Sequence, residues 1–284
     1  METKIINSIC TGVPGLDDFL IWPKPLDKIT KNDEKKKNGL PLGRIILLTG
    51  KAGTGKTMFA IQVAMQFLAD NQQQDQAEVV FFSNTDESLH NIREDAYSRG
   101  YPKALVEGFD RFRMVTFDEI FAAAGAGRKV ATNSKALLKK ITLGLVEKSN
   151  QQILIIDPFS MIATTIAAGS GQGVIIDFLS SLEAVCRKRD ILCFLTAVDN
   201  PWHETVLLPD SKQGNNSTKS LPYLENIVSG IIHFSFHNNS DDQEGRKISI
   251  QKMRGREVAR QEHSFVITQI PFKYGEINGI SLEL

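Results

Sequence analysis

Gly50-Lys51-Ala52-Gly53-Thr54-Gly55-Lys56-Thr57 meets every fixed position of the pattern G-x-x-x-x-G-K-[ST]. Arg44-Ile-Ile-Leu-Leu-Thr49 leads into it and reads as a buried strand. Met58 to Asp70 follows and reads as a helix, with Phe59, Val63, Phe67 and Ile61, Met65, Leu68 at helical spacing. Strand, glycine loop and helix are the context in which this pattern binds phosphate. The glycines lack Cβ atoms, so successive N–H groups can curl around an anion. The helix start adds partial positive charge. The cradle is expected to run from Gly50 to Met58. Lys56 would reach the β- and γ-phosphates, and the Thr57 hydroxyl would hold Mg²⁺.

Further strands alternate with helices outward from this unit. Glu78–Ser83, Phe112–Phe117, Gln152–Asp157 and Ile191–Thr196 read as strands. Ser88–Gly100 (capped by Ser88), 133–146 and Val174–Arg189 read as helices. That order predicts an α/β fold with a central, mostly parallel sheet flanked by helices. Near the C-terminus Ile227–Phe236, Lys247–Met253 and Ser264–Thr268 read as strands joined by short turns, an antiparallel extension of the sheet. At the other end, Thr11-Gly-Val-Pro-Gly-Leu-Asp17 breaks the chain, and Asp17 and Asp18 are placed to cap a short helix. Leu26 to Gly39 is charged and reads as a solvated loop, as do 122–132, 167–173 and 200–220 from their small and polar residues.

At 284 residues with 42% hydrophobic content, the chain suits one large α/β domain over 1–284. Residues 11–43 form a lead-in with a charged insertion at about 26–38, and 44–284 the core and its C-terminal strands. Lys and Arg number 33, as do Asp and Glu, so overall charge does not call for nucleic acid. The local run Lys35-Lys36-Lys37 stands beside Asp33 and Glu34 and reads as a solvated face. Cys10, Cys186 and Cys193 lack metal-ligand spacing, and the latter two read as core thiols. These features, with no signal peptide or membrane-length apolar run, suit a reducing cytoplasm.

A phosphate loop needs partners. Asp157 ends an apolar strand, the position for a carboxylate that holds Mg²⁺ through water. Asp86 and Glu87 leave a strand end, where ligands gather in open α/β sheets; either could orient or deprotonate water. They also suit a helix start on propensity alone. Lys252-Met-Arg254-Gly255 closes a strand, and alternation puts both cations on one face, where they could clamp phosphate in cis or from a neighbouring subunit. Surface strands carry such pairs for no catalytic reason as well.

Together these segments resemble the KaiC family of RecA-type ATPases from Thr11 to about Thr268. Thr11–Asp17 is similar to the family's opening motif, Gly39-Leu-Pro-Leu-Gly-Arg44 to the lead into its first strand, and Gly50–Thr57 to its phosphate loop. Thr85 to Tyr101 is similar to the segment that opens with its paired catalytic glutamates, Asp86 and Glu87 taking those two positions. Asp157 falls on the Walker B aspartate. Lys252-Met-Arg254-Gly255 is similar to the K-M-R-G signature that reaches the ATP of the next subunit. The resemblance implies a RecA-like P-loop NTPase fold and ATP with Mg²⁺ at each boundary of a homo-oligomeric ring, usually a hexamer. It implies catalytic roles for Asp86, Glu87, Lys252 and Arg254, with the last two acting in trans.

The departures are specific. Clock KaiC proteins carry two such domains and this chain one. Asp86 is a methylene shorter than Glu. The His three residues after the K-M-R-G glycine is Val258 here. Glu225 and Asn226 stand where the autokinase domain has a Ser-Thr pair, so the γ-phosphate is expected to go to water; Ser217, Thr218 and Ser220 lie nearby in a loop. Other readings stay open: a DNA-binding RecA-type recombinase or motor using loops 167–173 and 200–220, a low-turnover ATP-dependent scaffold or sensor, and, by the resemblance alone, protein kinase activity. The two loops offer a strand of nucleic acid only Lys212, Lys219 and Trp202.

Overall fold

The computed structural model describes residues 8–21, 38–71, 78–83, 86–106, 111–116, 119, 151–160, 162–163, 172–198, 226–238, 244–258 and 261–283. Several expected features lie outside the described residues: most of the charged segment 26–38 with Lys35–Lys37, the loops 122–132 and 200–220, the helix at 133–146, and the 167–171 part of the third loop. Glu225 and the hydroxyls at 217–220 lie outside them as well.

The strands in chain order are β1 (Ser8–Ile9), β2 (Leu20–Ile21), β3 (Leu40–Pro41), β4 (Arg44–Gly50), β5 (Glu78–Ser83), β6 (Phe112–Thr116), β7 (Gln151–Asp157), β8 (Leu192–Ala197), β9 (Gly230–Asn238), β10 (Glu244–Met253), β11 (Glu257–Val258), β12 (Glu262–Phe272) and β13 (Gly275–Leu282). The described helices are α1 (Lys56–Asp70), α2 (Asp86–Ser98), α3 (Lys103–Val106) and α4 (Gln172–Arg189). Among the described residues, nine strands make one sheet in the order β13-β12-β10-β9-β4-β8-β7-β5-β6. From β9 to β6 the pairing is parallel; from β9 through β10 and β12 to β13 it is antiparallel. The fold is therefore α/β with a mostly parallel sheet and an antiparallel C-terminal flank.

Why β4, β5, β7 and β8 read as unbroken apolar runs is visible in the packing. Successive side chains point to opposite faces, and both faces are covered. Ile46 and Leu48 join one buried cluster with α1, whereas Ile45 and Leu47 join a second with α4. Cys186 and Cys193 are buried in that second cluster, as expected.

The antiparallel flank folds back over α1, which is why that helix is apolar almost all round. Phe59 meets Phe194 and Phe234 edge-on, at ring separations of 6.0 and 5.5 Å. Phe234 meets Phe265 of β12 in the same way at 6.1 Å. Each such pair adds about 0.5–1.5 kcal/mol beyond simple area burial. The β13 edge is closed from within. Its alternate N–H groups at Asn278, Ile280 and Leu282 donate to Arg99 O, Gln62 Oε1 and Pro14 O. Gln62 also donates from Nε2 to Ile280 O and Gly12 O, at 3.1 and 2.7 Å. One buried amide on α1 thus joins the N-terminal lead-in to the last strand. Lys273, in the β12–β13 turn, donates to Ala69 O near the end of α1.

Several boundaries differ from the sequence reading. Helix α2 begins at Asp86, so Ser88 lies within its first turns and is not its cap. Helix α4 begins at Gln172, within the expected loop. β9 starts at Gly230 because 226–227 are helical and the chain bends at Ser229. Asp17 and Asp18 sit inside a short 3₁₀ turn whose cap position is Leu16. The Asp17 carboxylate instead accepts the Thr11 N–H and the Cys10 thiol. β13 has no counterpart in the sequence reading, since Gly275, Asn278 and Gly279 interrupt its apolar alternation.

Gln62→Leu should lower stability by about 2–4 kcal/mol, because buried groups of β13 and Gly12 lose their partners. Thermal denaturation should show a fall of roughly 5–12 °C. An unchanged Tm would mean that the edge does not depend on this amide.

Candidate functional site

β4 delivers its chain into the glycine loop at Gly50, and the loop ends where α1 begins. Gly50 has φ 140°, and a Cβ there would lie 2.1 Å from Phe234 O, so only glycine lets β4 and β9 run this close at the loop's entrance. Gly55 has φ 105° and occupies the cap position of α1, with no capping side chain. The first N–H groups of α1 therefore lack an intrahelical or side-chain acceptor at the place where an anion would sit. Within the loop the Thr54 hydroxyl donates to Lys51 O at 2.8 Å. Lys51, Ala52 and Gly53 are exposed.

Lys56 is only 7% exposed, and its ammonium is folded into the loop. It donates to Gly50 O and Lys51 O at 2.6 and 2.7 Å. The loop carbonyls thus solvate this cation in place of water, and an incoming phosphate would compete with them for it.

Behind the loop, β7 brings Asp157 to the first turn of α1. Thr57 Oγ1 donates to Asp157 Oδ2 and Thr196 Oγ1, from β8, donates to Asp157 Oδ1, each at 2.5 Å. Burial pushes the Asp157 carboxyl above its ordinary range; the Thr196 and Thr57 hydroxyls and the Lys56 charge oppose the shift. Ser83 of β5 stands opposite Asp157 in the ladder, fully buried, with no partner for its hydroxyl among the described residues. A buried carboxylate ringed by hydroxyls is a donor set suited to a hard divalent cation. Thr57 and Asp157 are the pair that would hold it.

Asp86 and Glu87 form the first turn of α2, three and four residues past Ser83. They therefore sit at the same end of the sheet as the loop, one strand beyond Asp157.

Lys252 and Arg254 are elsewhere. Met253 is registered against Gly230, and Gly230 against Ile46, near the start of β4. Gly50 lies four residues further on, about 13 Å away at roughly 3.3 Å per residue. The K-M-R-G segment is thus at the opposite end of the sheet from the loop of its own chain. Alternation does not place the two cations on a common face, because β10 ends at Met253 and has a register irregularity between Ile250 and Lys252. Arg254 lies in the turn that follows. Its backbone N–H donates to Ser229 O at 2.8 Å and its Nη2 to Asn226 O at 2.7 Å. Val258 belongs to β11, pairs with Leu20 and packs on the core. That packing accounts for an apolar residue where the family carries His.

The sequence reading did not single out Thr196, Ser83, Phe236 or Arg246. The first two were legible as lone hydroxyls ending apolar strands. Phe236 borders the loop, since a Cβ at Gly53 would be 3.7 Å from its Cζ, and Arg246 lies over its ring at 5.7 Å. Only cross-strand register brings those two to the site.

With this geometry in view, comparison with known proteins places the chain. The family model "ATPase: KaiC" matches residues 9–272. A UPF0273 protein of Aeropyrum pernix is 22% identical over 267 residues, covering 93% of this chain and 92% of that one. The crystal structure of a KaiC-like protein from Pyrococcus horikoshii OT3 shares the fold at a TM-score of 0.64, with 21% identity over 98% of this chain and 100% of that one. The chain belongs to the KaiC family of ATPases, a RecA-like, ATP-binding P-loop group. No helix among the described residues is long and apolar enough to cross a membrane.

The Asp157 environment has a measurable consequence. With the folded pKa above the ordinary 3.8, the native state holds the proton more tightly than the unfolded chain. Stability from this group is therefore lost as pH rises through the window between 3.8 and the raised value. Asp157→Asn should melt higher than wild type at neutral pH without nucleotide, and the difference should shrink towards pH 3. A lower-melting variant across the whole range would contradict this account.

Proposed function

We propose that this KaiC-family chain is an Mg²⁺-dependent ATPase that assembles into a ring of its own copies, one ATPase domain over 1–284 in each. The loop from Gly50 to Met58 would bind the triphosphate. Lys56 would leave its loop carbonyls for the β- and γ-phosphates. Thr57 would coordinate Mg²⁺ directly and Asp157 through water. The cation would supply charge neutralisation on the phosphates. At the end of β5, Glu87 and Asp86 together supply the group that orients or deprotonates the attacking water.

The observation that carries the ring is the position of Lys252 and Arg254. They lie at the far end of the sheet from their own loop, too distant to touch a nucleotide bound there. A second copy of the chain is the source that would bring these cations to a γ-phosphate. Hydrolysis and assembly are then coupled, because a lone protomer lacks charge to stabilise the transition state. Asn226, at one of the two positions where the autokinase domain has its hydroxyl pair, carries a carboxamide and no hydroxyl to accept phosphate; its backbone carbonyl accepts from Arg254. This favours water over the chain's own hydroxyls as acceptor.

The test is mass photometry with and without Mg-ATP, followed by phosphate release from the assembled fraction. Assembly and turnover should both require Mg-ATP. Lys56→Ala should abolish tight ATP binding. Arg254→Ala should keep ATP binding and lose about a hundredfold in turnover, the scale of removing one preorganised donor. A monomer that hydrolyses ATP at the wild-type rate after Arg254→Ala would refute the trans arrangement. Tight binding with negligible turnover by the wild-type ring would favour a sensor instead.

A further inference from the structure

At the base of the sheet, away from the phosphate loop, one carboxylate is shared among several cations. Glu183 of α4 is 12% exposed. Its Oε1 accepts from Ser229 Oγ and from Arg187 Nη2, each at 3.0 Å, and faces Arg254 Nη1 at 3.9 Å. The other arm of Arg254 donates to Asn226 O. The guanidinium is therefore spanned between a backbone carbonyl and a carboxylate, and its own backbone is tied to Ser229. Its side chain is still 44% exposed.

The surroundings oppose that pose. Arg44 lies close enough to feel both Arg187 and Arg254. Burial first, and then these two cations, push its guanidinium below the ordinary arginine value, while Glu183 acts in the opposite direction. Arg256 is likewise lowered to about 10 by burial and by Arg44. Among the described residues, Glu183 is the anion whose charge offsets the repulsion on Arg44. Without it, Arg254 would gain by swinging into water, and a long side chain has roughly 2 kcal/mol of rotamer freedom to recover there.

We infer that Glu183 is a positioning residue for Arg254, holding the guanidinium preset at the base of the sheet for the nucleotide of the next copy. The inference rests on the trans arrangement proposed above. It adds a residue on α4, distant in sequence from every motif, that decides how well the neighbour's site is completed. Preordering is what such a contact contributes: the side chain's freedom is lost on folding and not again at each assembly step.

Glu183→Gln keeps the acceptor for Ser229 and removes the charge. The full-length variant should bind ATP as wild type does, since its own loop is at the other end of the sheet. Its kcat should fall about fivefold, the upper scale of a partly exposed ion pair. Mixing supplies a readout that a merely structural role would not move. Lys56→Ala copies are silent alone but retain Arg254 and Glu183. Added to Glu183→Gln copies, they should restore turnover at the intact phosphate loops. A second variant, Arg187→Gln, removes a competitor for the carboxylate at a side chain 63% exposed, and should leave kcat unchanged or higher.

Wild-type kcat in Glu183→Gln, beside an impaired Arg254→Ala, would overturn the inference and spare the trans arrangement. Wild-type turnover in Arg254→Ala would overturn both. No restoration in mixed assemblies that mass photometry of size-tagged copies shows to contain both variants, or a loss in Arg187→Gln equal to that in Glu183→Gln, would also overturn the role of Glu183.

Discussion

The burial of α1 on almost every side is the constraint on which the rest depends. A phosphate loop works only if the strand before it and the helix after it hold still. Here β4 lies under α1, and the β12–β13 hairpin folds over the opposite side. The phenylalanines at 194, 59, 234 and 265 form a continuous edge-on series through this sandwich. A helix covered on almost every side cannot leave buried polar groups to chance, so its buried amide, Gln62, is bonded to both Gly12 and Ile280. The lead-in motif at Thr11–Asp17 therefore has a structural role, docking on α1 and closing the last strand.

That rigidity is set against a site that holds groups away from their preferred solvation. Asp157 is ionisable yet buried, with Thr57 and Thr196 as its hydrogen-bond donors. Lys56 is satisfied by carbonyls of the loop it would leave on binding phosphate. Ser83 has an unspent hydroxyl beside them. Each of these would be better satisfied by a phosphate or a divalent cation than by the protein alone. A folded core that gains its stability elsewhere can hold such groups ready, which is the electrostatic preorganisation that binding and hydrolysis of a triphosphate need.

The two ends of the sheet have opposite chemistry. At the ends of β4, β5 and β7 are the glycine loop, Asp157 and the start of α2. Among the described residues, Arg44 and Arg254 lie at the start of β4 with Glu183 and Asp190. In the ring proposed above, the cations at one end of the sheet would meet the anion cradle at the other end of a second copy. The zero net charge of the whole chain sums over both ends and so does not report how charge is distributed between them.

The chain order of strands and helices, the loop at Gly50–Thr57, the carboxylate at Asp157 and the family were legible in the sequence, because each depends on local pattern. Glycines at fixed spacing, apolar runs capped by one polar residue, and period-2 or period-3.6 repeats are properties of neighbouring residues. Boundaries at Asp86, Gln172 and Gly230 were less so, since an element's start can move by a residue or two without changing the apolar pattern that marks it. β13 was hidden because its glycines break the alternation that marks a strand, and it is held by Gln62, 218 positions away. The placement of Arg254 at the far end of the sheet, its hold by Glu183 and Asn226, and the closing of Asp157 by Thr196 came only from tertiary structure. Those contacts are fixed by strand register and by the return of the chain over α1, and no local stretch of sequence carries either.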